Sequence, residues 1–95
     1  MVRIANVKTR ELLRLLRRMG FEQGNRDHIY FRHPGLGLRV KVSHGDKDIS
    51  ATLMGEIAIV QLKFNSADEF RAALRGDIPR RYLDHDAPWD GQPLD

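Results

Sequence analysis

The residues best suited to chemistry lie in one short alternating run, His28-Ile29-Tyr30-Phe31-Arg32-His33, and in a second, Leu38-Arg39-Val40-Lys41-Val42. Histidine exchanges protons near neutral pH, because its ordinary pKa of about 6.5 lies there. Arginine and lysine hold phosphate oxygens and neutralise charge that develops on them. Tyrosine stacks on a base or donates a hydrogen bond. Together these residue types suit proton transfer beside a phosphate ester. His44, just after the second run, is a candidate second acid/base or a phosphate contact. Asp27 neighbours His28 in sequence, but strand alternation sends the two side chains to opposite faces, so they are not a dyad.

Other chemistries lack their residues. There is no cysteine, which removes disulfides, thiolate nucleophiles and cysteine-type zinc sites. The four histidines are spaced by 5, 11 and 41 residues and match no metal-binding pattern, so no metal or other cofactor is expected. Neither a phosphate-binding glycine loop nor a G-x-S-x-G nucleophile elbow occurs.

Positioning these side chains requires a sheet. Both runs alternate with period two, and Pro34-Gly35 fits the centre of a type II turn between them, with Gly37 close behind. The hairpin that results has an inner face of Ile29, Phe31, Leu38, Val40 and Val42. Its outer face carries His28, Tyr30, Arg32, Arg39 and Lys41. His33 falls on the inward side by the turn and reads as structural. Phe21–Gln23 forms a short preceding strand, and residues 43–49 a polar loop.

Helices flank the strands. Lys8–Gly20 is amphipathic, with Thr9 as N-cap and Gly20 as the C-terminal stop. Leu12, Leu15, Leu16 and Met19 make its apolar face; Arg10, Arg14, Arg17 and Arg18 make the other. Ser50 caps a second helix to about Leu62, although the β-branched run Ile57-Ala58-Ile59-Val60 also fits a buried strand. Ser66 and Glu69 form a capping box for a third helix ending at Leu74. Residues 84–95, rich in proline and acids, read as a mobile tail behind a single domain spanning 1–83.

Charge is divided unevenly. Residues 1–50 carry 11 Lys/Arg against 5 Asp/Glu, whereas residues 51–95 carry 5 against 8, so a balance of +6 faces one of −3. The first half has the sign that meets a polyanion. No apolar run approaches the roughly 20 residues of a membrane span, nor does the N-terminus carry an apolar block of signal-peptide length. A cytoplasmic protein with no membrane partner is expected.

The order of these pieces resembles the HicA toxins. Lys8-Thr9-Arg10-Glu11-Leu12-Leu13-Arg14-Leu15-Leu16-Arg17-Arg18-Met19-Gly20-Phe21 is similar to their opening helix and first strand. His28-Ile29-Tyr30-Phe31-Arg32-His33-Pro34 is similar to the second strand and turn, which carry the family's functional histidine. Val40-Lys41-Val42-Ser43-His44-Gly45 is similar to the third strand and its following loop. The resemblance covers roughly residues 8–74.

It implies an α+β domain like a double-stranded RNA-binding domain: a three-stranded antiparallel sheet with helices on one face, ordered α-β-β-β-α, followed here by a short C-terminal helix and tail. It also implies a toxin that cleaves mRNA without a metal, with His28 as the catalytic residue, and a HicB-type antitoxin as protein partner. Tyr30, Arg32, Arg39, Lys41, Arg14 and Arg17 are then the candidate RNA contacts. The same residues fit two other readings. One is an RNA-binding module that has lost cleavage; the other is a protein-interaction domain whose sheet edge and Trp89-bearing tail recruit a partner.

Overall fold

The computed structural model describes residues 3–25, 29–42, 47–84 and 86–94, with residues 25 and 29 described by backbone alone. Strand β1 (Val7–Lys8) leads directly into helix α1 (Thr9–Arg18). Strands β2 (Glu22–Asn25), β3 (Ile29–Arg32) and β4 (Arg39–Val42) form an antiparallel sheet with β3 at its centre. Strand β5 (Asp48–Ile49) returns to pair with β1. Helix α2 (Ala51–Gly55) continues as a π-helical stretch, Glu56–Gln61. Helices α3 (Ala67–Leu74) and α4 (Arg80–Leu83) complete the described elements. The domain is α+β, and among the described residues no helix is long and apolar enough to cross a membrane.

The apolar alternation sets the layers. Phe31, Leu38, Val40 and Val42 are buried in one cluster with Leu12, Leu15, Leu16 and Met19 of α1 and with Met54, Ile57, Phe64 and Phe70 from the second half. Arg32, Arg39 and Lys41 on the opposite face are exposed, and Tyr30 is partly exposed.

Helix α1 starts differently from the expectation. Lys8, not Thr9, is the N-cap and makes no side-chain cap. Thr9 lies in the first turn, and its N–H donates to the carbonyl of Lys47 at 2.9 Å. The β1–β5 ladder brings that carbonyl to the helix start, so a side-chain cap is not required. At the other end Gly20 adopts φ +92°. Its N–H bonds the Arg17 carbonyl (3.1 Å), and that of Phe21 bonds Leu16 (2.9 Å), which is a Schellman closure. The same pair of bonds, through Gly76 and Asp77, ends α3.

The hairpin loop also departs from the expected turn. A type II turn at Pro34-Gly35 requires positive φ at Gly35, but positive φ occurs at Gly37 instead (+72°). The four-residue loop Pro34–Gly37 is closed by His33 N–H to Leu38 O (2.9 Å) and Gly37 N–H to His33 O (2.8 Å). His33, structural as expected, is buried. Its Nδ1 accepts from the Leu36 N–H at 3.1 Å, so Nδ1 carries no proton. Its Nε2 therefore carries the proton and donates to the Tyr82 carbonyl at 3.1 Å.

The Ser50 side chain caps α2 through the Leu53 N–H (3.3 Å). Beyond Gly55 the bonding widens to i→i+5, as in Leu62 N–H to Ile57 O (2.8 Å). The run Ile57–Val60 thus forms helix rather than the alternative strand. Ser66 accepts from the Glu69 N–H (3.1 Å), as a capping box requires. Glu69, however, reaches back to the N–H of Asn65, one residue earlier than the box predicts.

Residues 86–94 do not form the free tail expected of 84–95. Trp89 packs against the core. The Gln92 side chain donates to the Phe64 carbonyl (2.7 Å), its N–H to Lys63 O (3.3 Å), and Asn65 Nδ2 donates to Asp90 O (3.1 Å). Arg81 is the centre of this clasp. Its side chain is 2% exposed and ion-pairs with Glu69 and with Asp90. Its guanidinium lies 5.0 Å from the Tyr82 ring centre and 5.3 Å from that of Trp89. Burial alone disfavours the cation, but the Glu69 hydrogen bond and the surrounding charges outweigh it and raise the pKa of Arg81.

Two outcomes follow from the clasp. A Cβ at Gly91 would stand 2.6 Å from Arg81 Nε, 2.8 Å from Trp89 Cζ2 and 3.1 Å from Lys63 O. Gly91→Ala is therefore expected to destabilise the domain by about 1–3 kcal/mol, as overpacking does, read from the denaturant midpoint. Tyr82, whose hydroxyl donates to Leu62 O, has its pKa pushed up by burial from the ordinary 10.0. Below pH 10 the phenol is neutral in both the folded and unfolded chains. Above it, only the unfolded chain ionises, so stability falls as pH rises. Tyr82→Phe should remove that part of the alkaline loss in a pH series of thermal melts.

Candidate nucleic-acid interface

The strand register fixes the outer face residue by residue. Tyr30 stands opposite Lys41 on one side and Gly24 on the other. Arg32 stands opposite Arg39 on one side and Glu22 on the other. Directly opposed Cβ atoms in an antiparallel pair are about 4.5–5.5 Å apart, so the four side chains form one patch. Counting Glu22, the patch carries three cations and one carboxylate, and none of Arg32, Arg39 or Lys41 forms a salt bridge among the described residues. Gly24 leaves the flank of Tyr30 open: a Cβ there would already touch Tyr30 Cβ at 3.8 Å.

Such a surface can take a nucleic-acid strand. Its cations meet phosphates, and its aromatic ring offers a stacking platform. His28, the expected catalytic residue, and His44, the expected second acid/base, both lie outside the described residues.

The remaining expected contacts are elsewhere. Arg14 and Arg17 belong to α1, which packs in the helical layer. Arg17 donates to Gln23 Oε1 at 3.4 Å, and Gln23 is the register partner of the inward-facing Phe31. Arg14 borders a shallow depression with Glu11, Arg18 and Arg75 between α1 and the end of α3. The structure thus unites Tyr30, Arg32, Arg39 and Lys41 and separates Arg14 and Arg17 from them.

A second basic feature escaped the sequence. Lys8, Arg10 and Lys47 converge where β1 and β5 meet the start of α1. Two-residue strands leave no periodicity to read, and the pairing of Val7 with Ile49 spans the whole sheet in sequence. Among the described residues, no group of three or more His, Asp or Glu is placed to hold a metal ion.

Comparison with protein-family models, with curated proteins and with solved structures finds no match.

The register makes a prediction about stability. Arg32 and Arg39 are like charges directly opposed, an arrangement that costs roughly 0.2–1 kcal/mol. Arg39→Thr should raise the denaturant midpoint slightly.

Proposed function

We propose that this protein is an RNA-cleaving toxin of the HicA type, with a fold like that of a double-stranded RNA-binding domain and with the outer face of β2–β4 as its RNA surface. The observation that carries this reading is the gathering of Tyr30, Arg32, Arg39 and Lys41 on one solvent-exposed sheet face. The +6 balance of residues 1–50 and the resemblance of residues 8–74 to that family support it further.

The mechanism uses groups on RNA and on this chain. His28 takes the proton from a ribose 2′-hydroxyl, whose oxygen attacks the adjacent phosphorus. The bond from phosphorus to the 5′-oxygen breaks, and that oxygen takes up a proton, for which His44 is the candidate donor. The products are a 2′,3′-cyclic phosphate and a 5′-hydroxyl. Arg32, Arg39 and Lys41 hold the phosphate and stabilise the charge that builds on its free oxygens, while Tyr30 stacks on a neighbouring base. DNA lacks the nucleophile and is not cut. A HicB-type antitoxin would silence the protein by covering this face, and both partners would act in the cytoplasm.

The test is expression of wild type and His28→Ala. Wild type should arrest growth and shorten cellular mRNA. His28→Ala should lower the cleavage rate by about 10²–10⁴-fold, the usual contribution of a general acid or base, with an unchanged circular dichroism spectrum. A fully potent His28→Ala protein would remove His28 from the chemistry. A wild type that binds RNA and never shortens it would make the protein a binding module instead.

A further inference from the structure

Beyond the sheet face, a cleft of about 570 Å³ opens between the start of α1 and β5, lined by Lys8, Thr9, Arg10, Leu13, Lys47 and Asp48. Its charged side chains are exposed, and Leu13 is half-buried at its wall. Lys8 and Asp48 are register partners across the β1–β5 ladder and offset each other. Arg10 and Lys47 are left over, giving the cleft a surplus of two positive charges.

These charges are uncommitted. Among the described residues Lys8, Arg10 and Lys47 form no salt bridge, whereas Arg71, Arg80 and Arg81 in the second half are each paired with a carboxylate. The cleft is concave and of nucleotide scale, since sites for small ligands run from about 300 to 1,000 Å³. It therefore suits one phosphate-bearing unit with an apolar wall better than a flat peptide surface would.

The cleft also lies within reach of the sheet patch. Lys47 follows Val42, the last residue of β4, by five positions. Covalent geometry keeps the two within about 18 Å. With phosphates about 3.4 Å apart along the axis of a stacked strand, that distance is a few nucleotides.

We propose that this cleft is a second RNA subsite, in which Arg10 and Lys47 grip a backbone phosphate and Leu13 meets the attached sugar or base, a few nucleotides from the strand segment lying on the sheet. The subsite rests on the RNA reading given above. It makes the protein a two-point reader of single-stranded RNA, so that affinity depends on strand length as well as on the sheet contacts.

The experiment uses the full chain carrying His28→Ala, so that RNA stays intact. Binding of a short fluorescein-labelled single-stranded RNA of mixed sequence is followed by anisotropy across a salt series. Each phosphate contact on a single strand contributes about 0.7 to the slope of log affinity against log salt. Adding Arg10→Gln and Lys47→Gln removes that one phosphate contact and should lower the slope by about 0.7. Amide resonances of Thr9–Leu13 and Lys47–Asp48 should also shift when RNA is added to the parent protein. If the slope is unchanged and the shifts stay on β3 and β4, the subsite is overturned and the sheet reading stands. If Arg32→Gln with Lys41→Gln leaves the slope intact while the cleft variant lowers it, the subsite stands and the sheet reading falls. If the parent protein binds no RNA, both are overturned.

Discussion

The two ring nitrogens of His33 hold the molecule's faces in place. One nitrogen accepts from the loop it borders, through Leu36, and the other donates across 49 residues to the backbone of Tyr82. The first bond, with the closure at Gly37, fixes the length of the β3–β4 loop. Loop length sets strand register, and in a sheet a slip of one residue sends every side chain to the other side. A slip here would bury Arg39 and Lys41 and expose Val40 and Val42. The second bond ties the same hairpin to α4, so the sheet, the core and the second half of the chain share one anchor. Phe21 meets the His33 ring edge-on, with centres 5.2 Å apart, and limits its rotation.

From that anchor the basic face follows with little further specification. Period-two alternation puts three cations and a tyrosine on the solvent side because the alternate residues, Phe31, Val40 and Val42, are needed in the core. The cations need no buried counter-charge and no special backbone. A surface of this kind costs the domain only the mild repulsion of Arg32 against Arg39, which Glu22 on the far side of Arg32 offsets.

What could be read in the sequence was whatever repeats locally. The helical spacing of Leu12, Leu15, Leu16 and Met19, the alternation of β3 and β4, and the caps at Ser50 and Ser66 all show in a window of a few residues. The same alternation identified the four outer-face residues of the candidate site. Arg14 and Arg17 share the sign of these residues, but neither charge nor helical spacing tells which layer of the domain a residue joins. The β1–β5 ladder was illegible because two residues make no pattern and their partners lie about forty positions away. Residues 86–94 looked like solvated tail for a similar reason. Their prolines and acids match disorder in composition, while their contacts are made with Lys63, Phe64, Asn65 and Arg81. Trp89 was the one local hint, since a large aromatic side chain gains most by leaving water.

The clasp around Arg81 joins segments that are separated in the order of synthesis. Glu69 and Asp90 are its two carboxylates, and the second is made nine residues after the arginine itself. Trp89, which covers one side of the guanidinium, arrives just before it. On a ribosome adding about 5–20 residues per second, the residues of the sheet and of α1 are synthesised before the outer half of the clasp. Residues 86–94 are therefore part of the fold rather than an appendage to it: the guanidinium of Arg81 stays buried only where Trp89 and Asp90 close over it.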